Sequence, residues 1–205
     1  MLRTGSGFLI LATLLAGCLT PAAIEPTRYY TLSPTPVETG DVASSKSLGI
    51  RPLIAAKPYK LEIAYRAETN RLAYFPQSEW AELPATMVIR AIADSIACNR
   101  LFADVGEATA MARPDFVFTG ELRRFEADYA GDTPEFVLSI SASIRATGSG
   151  EGLWQDLIEV RVPLSGTAAE EITDDTLTDI ARAASEAVSQ LALEVCTRIR
   201  TAPGE

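Results

Sequence analysis

The side chains that could do chemistry in this chain are limited by what is missing. The 205 residues contain no histidine and only 3 cysteines. Histidine is the commonest general base and metal ligand, so its absence removes Ser-His and Cys-His nucleophile pairs and imidazole-based metal sites. Cys98 and Cys196 are too few and too distant in sequence to predict a zinc site. The glycine-rich run at 148–152 precedes no helix-forming segment, so it indicates a turn rather than a phosphate-binding loop. We therefore expect no catalytic residue, metal or cofactor.

Cys18 stands in a sequence context that predicts one specific reaction of a thiol. Arg3 is followed by an apolar run over residues 8–15, and two small residues then lead directly to Cys18. A charged start, a short apolar run and a small-residue exit are typical of a secretory signal peptide. The run is too short to cross a bilayer as a helix, for which about 20 apolar residues are needed.

The four residues Leu15-Ala16-Gly17-Cys18 resemble the bacterial lipobox. The resemblance implies that a diacylglycerol is joined to the Cys18 thiol and that the leader is cut just before it; an ordinary signal peptide with a chance cysteine is the alternative. We expect residues 1–17 to be a lipoprotein signal peptide, 18–27 a lipidated N-terminus with a Pro-containing tether, and 28–205 a single periplasmic domain.

The charge balance excludes two classes of partner. Lys and Arg number 18 against 27 Asp and Glu, and the net charge is −9. Nucleic-acid binding depends on clustered Lys and Arg that neutralise phosphates, so we expect no nucleic-acid partner. The same balance disfavours adsorption of the domain to anionic lipid, so the lipid anchor must hold the chain on a membrane.

Two stretches carry the apolar periodicity of amphipathic helices. The first lies within residues 79–98 and begins near Pro84, a residue that suits the first turn of a helix. The second begins at Thr173 or Asp174, which can cap a helix N-terminus, and ends near residue 200. The apolar stripes are Ala85, Val88, Ile89, Ile92 and Ile96 in the first helix, and Leu177, Ile180, Ala184, Val188, Leu191, Val195 and Ile199 in the second.

The other periodic stretches alternate as strands do. Short strands are predicted at residues 28–32, 48–53, 61–66 and 71–75, and a three-stranded meander at 116–129, 136–145 and 154–164. The apolar phase switches at Arg123-Arg124, which indicates a β-bulge or bend. The predicted fold class is α+β, a mostly antiparallel sheet with two long amphipathic helices packed on one face.

Several of these stretches together resemble one family. After Cys18 come Arg28-Tyr29-Tyr30-Thr31-Leu32, then Trp80-Ala81-Glu82 leading into a helix, and then the segment from Pro114 to Leu122 running into Arg123-Arg124-Phe125-Glu126. Their order and spacing resemble the auxiliary lipoproteins of ABC-type transport systems, among them the paraquat-inducible protein C lipoproteins that accompany MCE (mammalian cell entry) domain proteins. The resemblance covers nearly the whole chain after Cys18.

The resemblance implies partners and a location rather than an active site. It implies a non-enzymatic periplasmic lipoprotein that serves an MCE-domain protein and the permease and ATPase of a lipid transport system, with a homo-oligomer as a further expectation. Leu19 after the lipidated cysteine favours the outer membrane over the inner membrane, where aspartate would be expected. The alternative is a lipoprotein that binds lipid or another small apolar ligand on its own, in a cavity between helices and sheet.

Two further pairs of residues are candidates for other roles. Cys98 and Cys196 are the two cysteines left once Cys18 is acylated, and in an oxidising periplasm an even count predicts a disulfide between them; two separate thiols are the alternative. Tyr29 and Tyr30 are candidates for partner binding at a strand edge, although packing of one ring inward is the more ordinary behaviour.

Two groups of carboxylates have an ordinary structural interpretation. Glu121 and Glu126 resemble a catalytic pair, but their odd separation places them on opposite faces of a strand unless the bulge intervenes. The acidic run of Glu170, Glu171, Asp174 and Asp175 is interpreted as a solvated helix N-terminus rather than as a cation site.

Overall fold

A computed structural model describes residues 26–36, 44–165 and 173–202. The predicted signal peptide, Cys18 and most of the predicted tether lie outside these residues. In the described residues, eleven elements follow one another: β1 (Arg28–Tyr30), β2 (Ser47–Ile50), β3 (Ile54–Ala55), β4 (Glu62–Glu68), β5 (Arg71–Trp80), α1 (Pro84–Cys98), β6 (Asp104–Glu107), β7 (Phe116–Asp128), β8 (Glu135–Ala146), β9 (Gly152–Pro163) and α2 (Asp174–Thr201).

The sheet is built around β7. One edge of β7 pairs along its whole length with β8, which is antiparallel and pairs in turn with antiparallel β9. The other edge pairs end to end with three short strands, β2, β3 and β4, and all three are parallel to it. Beyond these, β6 pairs in parallel with β2, β5 pairs antiparallel with β4, and β1 pairs in parallel with β5.

The prediction of an α+β fold with a β7–β9 meander is confirmed, but two details differ. The sheet is mixed: five of the eight strand pairings among the described residues are parallel, although the three antiparallel pairings, β4–β5, β7–β8 and β8–β9, are the longer ones. Only α2, with 28 residues, is long; α1 has 15. Antiparallel neighbours are joined by turns that the sequence displays, whereas parallel neighbours are joined by crossovers that leave no local signal.

Each helix begins where its sequence provides a start. Pro84 opens α1, where its missing N–H costs nothing. The Thr173 hydroxyl accepts a hydrogen bond from the Thr176 N–H in a capping box at the start of α2, and Asp174 and Asp175 lie at the positive end of the helix. α2 packs on β8 and β9 and against α1, and α1 contacts β3 and β6.

The bulge predicted at Arg123-Arg124 is present. Leu122 pairs with Ile140 and Arg124 with Ser139, so Arg123 is an extra residue in β7. The extra residue reverses the alternation, which allows Leu122 before it and Phe125 after it to enter the same core. Trp80 also packs there, edge-on to Phe125 with 5.3 Å between ring centroids.

Candidate functional site

The chain enters the described domain at one end of α2. Arg28, the first residue of β1, forms an ion pair with Asp174 in the first turn of α2. The Ala81 N–H, just before α1, donates to the Tyr30 carbonyl at 2.7 Å. The predicted anchor at Cys18 precedes this entry point by ten residues, which is about 33 Å of extended chain at most.

Tyr29 and Tyr30 point to opposite sides of β1, as alternation on a strand requires. The Tyr29 side chain is 66% exposed, whereas Tyr30 packs partly buried against the core. Burial raises the pKa of the Tyr30 hydroxyl above its ordinary value, with Arg28 opposing the rise. In the described residues β1 pairs only with β5, so β1 is an edge strand with one exposed ring.

Residues 31–36, which we call the strap, continue from β1 along α2. The Ser33 N–H donates to the Ser185 hydroxyl at 3.1 Å, and the Thr35 N–H donates to the Ser189 hydroxyl at 2.9 Å. Both hydroxyls also donate to the carbonyl four residues earlier in α2, with 2.7 Å from Ser185 to Ala181. Ser185 and Ser189 are one turn of helix apart. The N–H groups of Ser33 and Thr35, two residues apart in the extended strap, are spaced to reach them.

The domain has two ends along α2, which we call the anchor end and the far end. The anchor end holds Arg28 and the N-terminal ends of both helices. The far end holds the last turn of α2, the segment after α1, the start of β7 and the turn between β8 and β9. A helix of 28 residues is about 42 Å long, so the two ends lie on the order of 40 Å apart.

The two candidate disulfide cysteines lie on the two helices, which contact each other. Cys98 is exposed at the end of α1, Cys196 is buried in α2, and both are thiols in the structure. Burial raises the pKa of the Cys196 thiol to about 11, with Arg200 lowering it and Cys98 raising it further. The bridge between them stays a prediction.

A buried carboxylate lies on the sheet face away from the helices. Glu126 is completely buried. It accepts hydrogen bonds from the Tyr59 hydroxyl at 2.7 Å, the Arg66 Nε at 2.8 Å and the Arg124 Nη2 at 2.6 Å. Arg124 also donates to Asp128 at 2.6 Å, so the network joins β4 and β7 with the segment between β3 and β4.

This network acts as a clamp, by which we mean that it holds β4, β7 and the segment between β3 and β4 together. It does not present a reactive group. Two guanidinium groups and a phenol already occupy the Glu126 oxygens, so no lone pair is directed at open space. Burial and the hydrogen bond to Glu126 raise the pKa of Tyr59, so Tyr59 stays protonated as a donor. Burial raises the pKa of Asp128, but hydrogen bonds from Arg124 and Ala130 outweigh it and leave that pKa below its ordinary value.

Because of the bulge, Glu121 and Glu126 lie on the same face of β7 rather than on opposite faces. Glu121 pairs with Ser141 and Glu126 with Val137, so both lie on the face away from the helices. The Glu121 carboxylate is nevertheless paired with Arg123, whose Nε lies 3.3 Å from the Glu121 Oε2. Asp174 of the acidic run pairs with Arg28, while Glu170 and Glu171 lie outside the described residues. Across residues 26–36, 44–165 and 173–202, no group of three potential ligands is placed to hold a metal ion.

A cavity with a largely apolar floor lies at the far end of the described domain. Its volume is about 750 Å³. Side chains from the segment after α1, from β7, from β9 and from the last turns of α2 line it, namely Leu101, Phe102, Phe116, Leu153 and Ile199. Lys46, Arg200, Asp115 and Glu151 are the charged lining residues. Between the helices and the sheet, where a ligand cavity was the alternative expectation, core side chains such as Ile92, Leu138 and Leu191 pack together.

Sequence reasoning missed both the strap and the Glu126 network. The strap falls in a Ser/Thr/Pro-rich stretch that reads as a loop, and nothing local shows that its N–H groups reach hydroxyls more than 150 residues away. The phase switch at Arg123-Arg124 was the available signal for the network, because it places Glu121 and Glu126 on one face. The donors Tyr59 and Arg66 lie 67 and 60 residues from Glu126, so they carried no signal.

Comparison with known proteins agrees with this fold. The chain aligns with protein XCC0632 from Xanthomonas campestris with a TM-score of 0.72 and 20% identity, over 84% of this chain and 95% of that one. It aligns with a second solved protein, described only as uncharacterized, with a TM-score of 0.61 and 11% identity, over 85% and 99%. At these identities the likeness shows the fold alone.

Two further comparisons concern sequence and membrane spans. No curated protein matches the chain. In the described part of the chain, neither helix combines the length and apolarity needed to cross a membrane. The profile of the ABC-type transport auxiliary lipoprotein component matches residues 30–196, which is most of the chain and includes β5, α1, the complete meander and most of α2. The chain belongs to this family of auxiliary lipoproteins.

Proposed function

We propose that this chain is a non-catalytic subunit of an MCE-type ABC lipid transport system, held by an acylated Cys18 at the periplasmic face of the outer membrane. Its role is to dock the end of a periplasmic MCE assembly, so that lipid can pass into or out of that membrane and maintain envelope integrity. The observation that carries the proposal is the family match over residues 30–196. Leu19 after Cys18 supports the choice of the outer membrane.

The geometry of the strap supports a docking role. The Arg28–Asp174 ion pair joins the start of β1 to the N-terminal end of α2, and the strap then holds the following residues along that helix. An anchor at that end directs the opposite end of the domain away from the membrane. A docking subunit needs such an oriented surface and no active site, which agrees with the fully occupied Glu126 carboxylate.

The two ends give the candidate contact surfaces different roles. The exposed Tyr29 on β1 and the turn at residues 131–134 lie at the anchor end, since Pro134 accepts from the Leu164 N–H close to the start of α2. The turn at residues 147–152 lies at the far end, where Ser149 and Gly152 border the cavity. Exposed turns and edges are common recognition elements. We assign the MCE contact to residues 147–152.

Site-specific photo-crosslinking in native envelopes tests this assignment. A photoreactive amino acid replaces Ser149 at the far end or, as the matched control, Asp132 in the turn at the anchor end. We expect residue 149 to capture an MCE-domain protein and residue 132 to capture none. Capture of only outer-membrane assembly machinery, or turnover of a substrate by the purified protein, would overturn the proposal.

Loss of the chain should also have a specific phenotype. A subunit that serves lipid transport is not needed for core metabolism, so a deletion strain should grow normally in rich medium. The same strain should become sensitive to detergent, and the wild-type gene should restore resistance. Normal detergent resistance in the deletion strain, in the presence of an intact transport system, would contradict the role in envelope integrity.

A further inference from the structure

The far-end cavity combines an apolar floor with a rim that carries both signs of charge. We infer that it binds a single-chain zwitterionic phospholipid, for which lysophosphatidylethanolamine is the simplest probe. The biological meaning of this site rests on the proposed function, because a lipid transport subunit would hold lipid at the end that faces its partner. The binding itself can be tested independently of any transport partner.

The floor is suited to one acyl chain. Leu101, Phe102 and Ile199 are almost completely buried, and Phe116 and Leu153 are partly buried against the same core. Packing against the core therefore keeps the side chains of the cavity floor in position. A volume of about 750 Å³ lies within the range of roughly 300–1,000 Å³ that is usual for small-ligand pockets.

The rim favours a head group that is itself both positive and negative. Lys46 and Arg200 supply two cations, and Asp115 and Glu151 supply two carboxylates. A phosphate is attracted by the cations and an ammonium by the carboxylates, while a simple anion would meet unfavourable carboxylates. The rim thus distinguishes a zwitterionic head group from a fatty acid of the same chain length.

The carboxylate of Asp115 on the rim is held in place. The Asp115 carboxylate accepts from the Ser47 N–H and from the Ser47 hydroxyl, both at 2.8 Å. Lys46 is 3.9 Å from Asp115 and its side chain is 56% exposed, so its ammonium can reach a phosphate at the mouth. The hydrogen bonds from Ser47 lower the pKa of Asp115, which keeps this carboxylate charged.

Another cavity of similar size fits this ligand less well. The groove between the strap and α2 has a volume of about 670 Å³. Its lining is rich in hydroxyl, amide and charged groups, among them Thr31, Ser33, Thr178, Ser185, Ser189 and Gln190. The two charged residues that line this groove, Arg182 and Glu186, already form an ion pair with each other at 3.1 Å, whereas Lys46 and Asp115 at the far-end cavity are 3.9 Å apart. The groove therefore offers a zwitterionic head group less charge complementarity.

Photolabelling of the full-length protein in its native envelope tests the site. The probe is lysophosphatidylethanolamine with a photoreactive diazirine in its acyl chain, and the labelled peptides are identified by mass spectrometry. We expect labels on the segments around Phe102, Phe116 and Leu153. Unlabelled lysophosphatidylethanolamine should compete at least tenfold better than a fatty acid of the same length. Equal competition by the fatty acid would overturn the zwitterionic assignment.

Substitutions on one strand provide a matched comparison. Leu153→Glu places a charge in the cavity floor, and Leu153→Trp fills the space without adding charge. Leu157→Glu on the same strand changes a residue that is 52% exposed and does not line the cavity. We expect both Leu153 variants to lose labelling at least tenfold and Leu157→Glu to keep it. Unchanged labelling in folded Leu153→Trp, or labels scattered over the surface, would overturn the site.

The results separate this inference from the proposed function. Labelling of the cavity without capture of an MCE protein at residue 149 would retain the lipid site and overturn the transport assignment. Capture of an MCE protein without labelling of the cavity would retain the transport assignment and overturn the lipid site.

Discussion

Among single residues, Glu126 is the one whose substitution we expect to lower the free energy of unfolding most. Glu126→Ala leaves the guanidinium groups of Arg66 and Arg124 and the Tyr59 hydroxyl without their shared acceptor. Removing one partner of a buried ion pair costs about 3–5 kcal/mol. We expect the free energy of unfolding, measured with urea, to fall by roughly 3 kcal/mol on that basis.

Glu121→Ala is the control for that measurement. It lies on the same strand and the same face, but it is about half exposed and bonds only to exposed Arg123. Its loss should change the free energy of unfolding by less than about 1 kcal/mol, the usual limit for a surface ion pair. Equal losses for the two variants would contradict the clamp role of Glu126.

The cysteine pair is the second prediction at the residue scale. We expect Cys98 and Cys196 to form a disulfide in protein isolated from the periplasm, because the helices that carry them contact each other and only these two thiols remain after acylation of Cys18. A closed loop of about 100 residues stabilises by about 4–5 kcal/mol in the chain-entropy model. A maleimide added to the denatured protein should label neither cysteine before reduction and both after it. Labelling without reductant would show two thiols.

Among the elements, the strap can be tested apart from the rest of the domain. The double variant Ser185→Ala, Ser189→Ala removes the acceptors of the Ser33 and Thr35 N–H groups. Each such hydrogen bond contributes about 1 kcal/mol net. We expect faster hydrogen exchange at these two amides and faster proteolysis within residues 31–36, with slowly exchanging core amides unchanged.

Thr197→Ala is the matched control for the strap. Thr197 lies on the same helix, and its hydroxyl donates to the Leu193 carbonyl of α2 itself. The exchange of the Ser33 and Thr35 amides should therefore stay at the wild-type rate. If Thr197→Ala opened the strap as much as the double variant, a general loosening of α2 would explain the result.

For the whole molecule, three carboxylates predict the response to acid. Hydrogen bonds lower the pKa of Asp115, and they outweigh the opposing effect of burial at Asp128 and Asp179. A folded-state pKa below the unfolded value of 3.8 means that the unfolded state takes up protons first as the pH falls. The stabilisation is complete above about pH 5 and is lost as the pH falls through the folded-state values.

Urea unfolding at several pH values measures this effect. The urea midpoint should be nearly constant between pH 5 and 7 and should fall below pH 4. Asp179→Asn removes the carboxylate that accepts from Ser165 and Arg182. The variant should be less stable at pH 7 and should lose less stability between pH 5 and 3 than the wild type. An unchanged acid dependence would exclude Asp179 as a source of the effect.

The membrane attachment is also a property of the whole molecule. Cys18→Ser removes the thiol that the lipobox predicts to be acylated, and several acyl chains are needed for firm attachment. We expect this variant to accumulate as uncleaved precursor or to appear in the soluble periplasmic fraction, while the wild type stays with membranes. An intact mass of the processed wild-type chain that leaves no room for acyl chains on Cys18 would contradict the anchor.

The sequence alone determined the features that depend on neighbours along the chain. The stripes of α1 and α2, the cap at Thr173, the β7–β9 meander and the bulge at Arg123-Arg124 were all readable, because period, caps and turns are encoded within a few residues of one another. The same local reading predicts the lipobox at Cys18. The absence of histidine is likewise a property of the sequence alone, and it removes the commonest general base.

Features that join distant segments depend on the three-dimensional fold. The three parallel neighbours of β7 come from segments well separated from it in sequence, and the Glu126 donors lie 60 or more residues away. The strap donates to serine hydroxyls more than 150 residues away in sequence. The far-end cavity forms where the ends of α1 and α2 meet the starts of β7 and β9. Contacts of this kind form when many segments pack together around one core that excludes water. No single segment therefore carries a periodic pattern that predicts them.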